Sequence, residues 1–111
     1  METIFDIEIQ KEFHNAQVAR ENGNEGRARV CARRAAGAAL KIYFSRQDLP
    51  FNGLSAFELL QVFIKQPGIP SSARQNAVNL TLRVSESFQL PAKVDLIYEA
   101  RSLCELLEKM Q

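Results

Sequence analysis

The sequence predicts an all-α protein, a bundle of about five helices in a single domain covering residues 1–111. Breaks rich in Asn, Gly or Pro divide the chain into five segments, and apolar residues recur at helical spacing in each segment. Hydrophobic residues make up 46% of the chain, which is enough for one buried core. Because helices joined by short connections usually lie antiparallel, we expect an up-and-down bundle.

The first predicted helix runs from about Ile4 to Glu21. Its apolar residues are spaced for one face: Phe5, Ile9, Phe13, Ala16 and Ala19. Ile7 and Val18 lie outside that face. Apolar and polar residues alternate over positions 4–9, so a short strand is an alternative there.

The second predicted helix begins at its N-cap Asn24 and continues to about Arg46. A seam of mostly small residues falls within roughly 120° of its circumference: Ala28, Cys31, Ala32, Ala35, Ala38, Ala39 and Ile42. Small side chains allow a close neighbour, so we expect this helix at the centre of the bundle. Gly37 weakens a helix by roughly 1 kcal/mol relative to Ala, and a close helix crossing would compensate.

The third predicted helix opens with a capping box formed by Ser55 and Glu58, and it ends before Pro67. A fourth helix is expected after Pro70, where Ser72 to Gln75 is a second candidate capping box.

The fifth predicted helix starts near Pro91 or Ala92 and carries a broad apolar stripe. The stripe contains Leu96, Ile97, Ala100, Leu103, Cys104 and Leu107.

The two cysteines, Cys31 and Cys104, fall at apolar positions of separate helices. We expect buried free thiols in a reducing compartment, with a disulfide as the alternative. The N-terminal stretch carries acids where a signal peptide would be basic, and no segment approaches the roughly 20 apolar residues that span a bilayer. These features predict a cytoplasmic protein without a membrane partner.

A basic cluster on the second helix is the candidate ligand-binding site, and it consists of Arg27, Arg29, Arg33 and Arg34. By helical spacing, Arg29 and Arg33 share one face and Arg27 and Arg34 another. The formal net charge is +1, so attraction of nucleic acid would have to come from such a local patch. One interpretation is ion pairing with acids, namely Glu21, Glu25 and Asp95. The other is contact with phosphate, which suits the fixed donor fork of arginine.

The sequence predicts no catalytic residue, cofactor or metal site. His14 is the only histidine, and no local partner identifies it as a general acid or base. Neither a Gly-rich phosphate loop nor a metal-ligand spacing is present. Asp95 and Glu99, one helical turn apart, are interpreted as arginine partners or helix caps.

Two stretches, ARENGNEGRARVCARRAAGAALKIYF and VDLIYEARSLCELL, together with the capped third helix, resemble the HEPN (higher eukaryotes and prokaryotes nucleotide-binding) superfamily. The resemblance covers roughly Asn15 to Leu107. It implies an up-and-down helical bundle, often dimeric, among RNA-cleaving toxins, their inactive relatives and partners of nucleotidyltransferases. Cleaving members carry an Arg followed after four to six residues by a His on a late helix. Here the only histidine, His14, is on the first helix with no Arg at that distance before it, and Asn79 follows Arg74 where a His might stand, so the resemblance implies a non-catalytic member.

The function expected from these features is a non-catalytic interaction module, which binds a partner protein or a nucleotide-bearing ligand through the Arg-rich helix. A nucleotidyltransferase is one such partner. A homodimer is expected as well, because Ile7, Val18, Leu40 and Phe44 lie outside the main apolar faces. The alternatives are a toxin-like protein that binds or cleaves RNA with Arg27, Arg33 or Arg74, and a small helical adaptor unrelated to this family.

Overall fold

The structure, a computed structural model, describes residues 5–82 and 94–110, and its regular structure over these ranges is entirely helical. The five helices are α1 (Ile7–Glu21), α2 (Glu25–Arg46), α3 (Ala56–Ile64), α4 (Ser71–Leu80) and α5 (Leu96–Lys109). The all-α bundle predicted from sequence is therefore confirmed. The alternative of a short N-terminal strand is wrong for residues 7–9, which lie in α1. None of the described helices is both long and apolar enough to cross a bilayer.

The first two helices form a hairpin around the turn Asn22–Asn24. Gly23 adopts a φ of +77°, a left-handed conformation that glycine accepts without strain. The side chain of Asn24 then accepts a hydrogen bond from the backbone N–H of Arg27 and caps α2, as predicted. A three-residue connection between two long helices in extensive contact requires them to run antiparallel. α2 also packs against α3 and α5, which confirms its central position.

The small-residue seam of α2 is largely buried. Ala28, Cys31, Ala32, Ala35 and Ala39 lie in the core, and Ala38 and Ile42 are half-buried. On another side of α2, Gly37 meets the start of α3. A Cβ added to Gly37 would lie 2.7 Å from the Cβ of Ala56 and 3.0 Å from its Cα. The close crossing expected at Gly37 is confirmed, and it fixes where α3 begins against α2.

The predicted capping box of α3 is present. The Ser55 hydroxyl accepts a hydrogen bond from the Glu58 N–H at 3.2 Å, and the Glu58 carboxylate accepts one from the Ser55 N–H at 3.0 Å. The second predicted box, on α4, is wrong. That helix begins at Ser71, its cap residue is Pro70, and no side chain caps it. Ser72 already lies inside the first turn, where its hydroxyl is past the capping position.

Two helices begin later in the chain than predicted, because an aspartate caps the start of each. Asp6 accepts a hydrogen bond from the Ile9 N–H at 2.9 Å, so α1 begins at Ile7 and not at residue 4. Asp95 accepts hydrogen bonds from the N–H groups of Ile97 and Tyr98, so α5 begins at residue 96. The start predicted near residues 91–92 lies outside the described residues, and residues 94 and 95 precede the helix.

The apolar side chains expected to form a dimer surface divide into two groups. Leu40 and Phe44 are fully buried, so the prediction that they form part of a second apolar surface is wrong. They flank Gly37 on α2, and α3 packs against this side of the helix. Ile7 and Val18, on the outer side of α1, are 82% and 39% exposed. Of these four residues, Ile7 and Val18 therefore stay available for an interface.

Both cysteines are buried free thiols, as predicted from their apolar positions. Burial raises the pKa of Cys104 to about 12, so its thiol stays protonated near neutral pH.

Candidate partner-binding face on the second helix

The four arginines of the predicted cluster have different surroundings. Arg27 and Arg34 are exposed, whereas Arg29 and Arg33 are half-buried. Arg27 and Arg34 are seven residues apart, about two helical turns, so they share one face as predicted. Val30 lies between them on this face and is 44% exposed. We call Arg27, Val30 and Arg34 the basic face.

The two arginines of the basic face have no acceptor in the protein. Among residues 5–82 and 94–110, neither the Arg27 nor the Arg34 guanidinium makes a hydrogen bond or a salt bridge. Each guanidinium group carries five N–H donors in a planar fork. Both forks are therefore free to bind acceptors from outside the described chain.

Arg33 turns away from this face and holds the end of α4. Its Nε donates a hydrogen bond to the Leu80 carbonyl at 2.8 Å, and its Nη2 donates to the Leu82 carbonyl at 2.7 Å. The last carbonyls of a helix have no partner within the helix, and a cation there also complements the helix dipole. Arg33 thus joins α2 to α4, and these bonds engage its guanidinium.

Arg74, on α4, binds the end of α3 in the same way as Arg33 binds the end of α4. Its Nε donates to the Ile64 carbonyl at 3.0 Å, and its Nη2 donates to the Gln66 carbonyl at 2.9 Å, at the end of α3. Asn79 has a structural contact too, since its side-chain amide donates to the Glu99 carboxylate at 3.0 Å. Of the arginines in the toxin-like alternative, Arg33 and Arg74 therefore lie in contacts between helices, whereas Arg27 is exposed on the basic face.

The acids expected to pair with the arginines of α2 bind Arg20 instead. Arg20 Nη2 lies 2.7 Å from Glu25 Oε2 and 3.0 Å from Asp95 Oδ1. In the described part of the chain no salt bridge joins Glu21, Glu25 or Asp95 to Arg27, Arg29, Arg33 or Arg34, so the predicted ion pairs do not form. The charge of Arg29 acts on Glu25 only as a minor contribution that lowers its pKa. The signal in the sequence is the hairpin turn, which brings Arg20 in the last turn of α1 beside the first residue of α2.

Arg20 also sets the ionisation of its two partners. Its hydrogen bond lowers the pKa of Glu25, and its positive charge adds to the effect. Partial burial acts to raise the pKa of Asp95. The hydrogen bond from Arg20, together with those from the capped backbone N–H groups, outweighs burial and lowers it. The pKa of Arg20 is raised by its hydrogen bonds to Glu25 and then Asp95. All three groups stay charged at neutral pH.

The basic face borders two small cavities on the same side of the α1–α2 pair. Arg27, Val18 and three asparagines line a cavity of about 210 Å³ at the hairpin turn. Arg34, Lys41 and two glutamates, Glu8 and Glu12, line one of about 260 Å³ beside the start of α3. Sites that enclose small molecules usually measure about 300–1,000 Å³. The two cavities are smaller, so this face suits contact with a partner surface better than enclosure of a nucleotide.

His14 lies apart from these arginines, on the exposed side of α1 towards α5. Among the described residues, no Asp or Glu lines the cavity that it borders. Within the described ranges, no group of three or more His, Cys, Asp or Glu side chains could hold a metal ion.

Comparison with known proteins assigns no function to the basic face. The chain matches no protein-family model, no curated protein and no solved structure. The basic face itself therefore carries the functional argument. The exposed guanidinium groups of Arg27 and Arg34 lie there on either side of the exposed Val30.

Proposed function

We propose that the protein is a non-catalytic interaction module whose basic face binds an acidic segment of a partner protein. The observation that carries the proposal is the pair of exposed guanidinium groups, Arg27 and Arg34, which have no acceptor in the described chain. Val30, exposed between them, supplies apolar contact area. Arginine beside an apolar side chain is typical of protein interfaces, where arginine is enriched.

An acidic protein segment fits this face better than RNA does. Sites for single-stranded RNA usually combine a basic groove with aromatic side chains on which bases stack. Among the described residues, the exposed aromatic side chain is Tyr98, which lies on α5 and not on the basic face. Glu8 and Glu12 line the Arg34 cavity and would repel a long polyanion that continues past Arg34. A short acidic segment needs contact only with the stretch from Arg27 to Arg34.

The proposal includes two expectations from the family resemblance: a HEPN-like bundle and a homodimer. Ile7 and Val18 support the dimer, because residues eleven apart lie on one side of α1 and both are exposed. Two copies would meet through this side of α1, and a partner such as a nucleotidyltransferase would bind towards Arg34, because Val18 lines the same cavity as Arg27. Light scattering at low micromolar concentration should give the mass of two chains, and Ile7→Glu with Val18→Glu should give one. A mass of one chain for the unmodified protein would overturn the dimer.

Fluorescence anisotropy with two labelled probes tests the basic face. One probe is a hexaglutamate peptide, and the other is a single-stranded oligouridine. We expect the peptide to bind the better of the two, with an affinity that falls as salt rises. Arg27→Gln combined with Arg34→Gln should weaken peptide binding roughly tenfold or more, since it removes two charge-assisted contacts. Arg29→Gln is the matched control on the same helix and should leave binding unchanged.

Binding and cleavage of the oligouridine test the toxin-like alternative. Preferential binding of RNA that disappears in the double variant would replace the proposed partner by nucleic acid. Cleavage of RNA that disappears in Arg74→Ala would show that the protein is an enzyme. If neither probe binds, or if Arg29→Gln weakens binding as much as the double variant, the basic face is not the interaction site.

A further inference from the structure

A separate cavity of about 350 Å³ lies between α1 and α5. It is lined by Phe5, Gln10, Phe13, His14, Gln17 and Arg101. Its volume falls within the range of about 300–1,000 Å³ that is usual for small-molecule sites, unlike the two cavities beside the basic face. Of these three cavities, it is therefore the one with room for a small ligand.

Arg101 is held in this cavity by an aromatic ring. Its Cζ lies 4.4 Å from the centroid of the Phe13 ring. Phe13 is only 2% exposed, so the ring is a fixed part of the core. A cation above an aromatic ring is attracted by the negative face of the ring, which restricts the guanidinium. Arg101 makes no hydrogen bond or salt bridge within residues 5–82 and 94–110, so its N–H donors are available to a ligand.

The other lining residues favour an anion with an apolar body. Among the described residues no carboxylate lines the cavity, and the polar residues His14 and Gln17 line it together with Arg101. The side-chain amide of Gln10 donates a hydrogen bond to the Phe5 carbonyl at 2.7 Å and fixes one wall. The Phe5 ring offers an apolar surface in the same wall, against which an aromatic ring can pack.

We propose that this cavity binds a small aromatic carboxylate. The carboxylate accepts hydrogen bonds from the Arg101 guanidinium, whose planar fork matches two carboxylate oxygens. The aromatic ring lies against Phe5, and the polar rim residue His14 is close to the carboxylate end. One fixed cation suits the single charge of a carboxylate better than the double charge of a phosphate monoester. This site is independent of the basic face on α2.

Heteronuclear NMR titration with three related probes tests the site. Benzoate should shift the backbone amides of Phe13, His14, Gln17 and Arg101 saturably. Benzamide has nearly the same shape without the charge, and we expect it to bind at least tenfold more weakly. Phenyl phosphate should also bind more weakly than benzoate. These comparisons use the unmodified protein, so they do not depend on how any variant folds.

Variants then test whether Arg101 supplies the positive charge that binds the carboxylate of benzoate. Arg101→Gln should weaken benzoate at least tenfold, whereas Lys109→Gln, on the same helix and outside the cavity, should bind it like the unmodified protein. The double variant of Arg27 and Arg34 should also bind it normally, which separates this site from the basic face. Equal binding of benzoate and benzamide, tighter binding of phenyl phosphate, or an unchanged affinity in Arg101→Gln would overturn the proposal.

Discussion

At Gly37 the backbone of α2 lies against Ala56, the first residue of α3. Sequence reasoning predicts a close crossing there, because a glycine inside a long helix needs a compensating contact. It does not predict which helix crosses, since the contact joins residues nineteen positions apart that share no local pattern. The same limit applies to Arg33, whose acceptor carbonyls lie 47 and 49 residues away.

Gly37→Ala should therefore destabilise the protein although alanine is the better helix former. The added Cβ would lie 2.7 Å from the Ala56 Cβ and 3.0 Å from backbone, so α3 has to move. Overpacking of this kind usually costs about 1–3 kcal/mol, more than the roughly 1 kcal/mol that alanine gains in helix propensity. Urea denaturation measures the change in the free energy of unfolding.

Gly26→Ala is the matched control in the same helix. A Cβ at Gly26 would meet only the Asn24 side-chain oxygen at 3.9 Å, which is ordinary contact. This variant should gain about 0.5–1 kcal/mol from propensity. Two variants of equal stability would show that α3 does not press on α2 at Gly37.

The ends of the helices explain most of the difference between the predicted and the observed elements. Asn24 and the Ser55–Glu58 box are local caps that the sequence predicts, because donor and acceptor lie within three residues. Asp6 and Asp95 are equally local caps, but the predicted helices start too early and contain both residues. The ends of α3 and α4 are instead completed by Arg74 and Arg33 from other helices. In the sequence Arg33 is a member of the basic cluster, and only the fold shows its acceptors at the end of α4.

Arg33→Lys should destabilise the protein because an ammonium group cannot reproduce the two-pronged contact with the end of α4. Hydrogen bonds that involve a charged group contribute about 1.5–3 kcal/mol, so the loss of one prong should lower the free energy of unfolding by about 1–3 kcal/mol. Arg34→Lys, at the exposed neighbouring position, should change it by less than about 0.5 kcal/mol. Thermal melts of the two variants provide the comparison, and equal melting temperatures would exclude the structural role of Arg33.

For the whole molecule, Arg20 connects three helices at one end of the bundle. Its guanidinium, near the end of α1, binds Glu25 at the start of α2 and Asp95 at the start of α5. Asp95 also caps α5, so a single carboxylate both starts that helix and attaches it to the hairpin. Sequence reasoning identified both acids as ion-pair partners but assigned them to the wrong arginines, because pairing across helices depends on their relative rotation.

The Arg20 contacts should make stability depend on pH in the acid range. The pKa values of Glu25 and Asp95 are lower in the folded protein than their usual values near 4, so the unfolded chain binds protons more readily. The stabilisation is present above about pH 4 and is lost as the pH falls through the folded-state pKa values. Both carboxylates are partly exposed, and solvent screening limits the contribution to about 1 kcal/mol.

Arg20→Gln should therefore lower the urea midpoint at pH 7 and have a smaller effect as the pH falls through the folded-state pKa values, where the two acids become protonated. Arg34→Gln serves as the control, because Arg34 forms no salt bridge in the described chain and its removal should leave the acid dependence unchanged. The same acid dependence in the Arg20 variant and the unmodified protein would contradict the linkage.

The rates at which the two buried thiols are alkylated report how the bundle opens. Cys31 lies in α2 and Cys104 in α5, and neither is accessible to a reagent in the closed fold. Alkylation of each cysteine therefore proceeds only from a state in which its helix has moved away from its neighbours. Equal labelling rates would mean that the two helices open together, whereas faster labelling of Cys104 would mean that α5 detaches first.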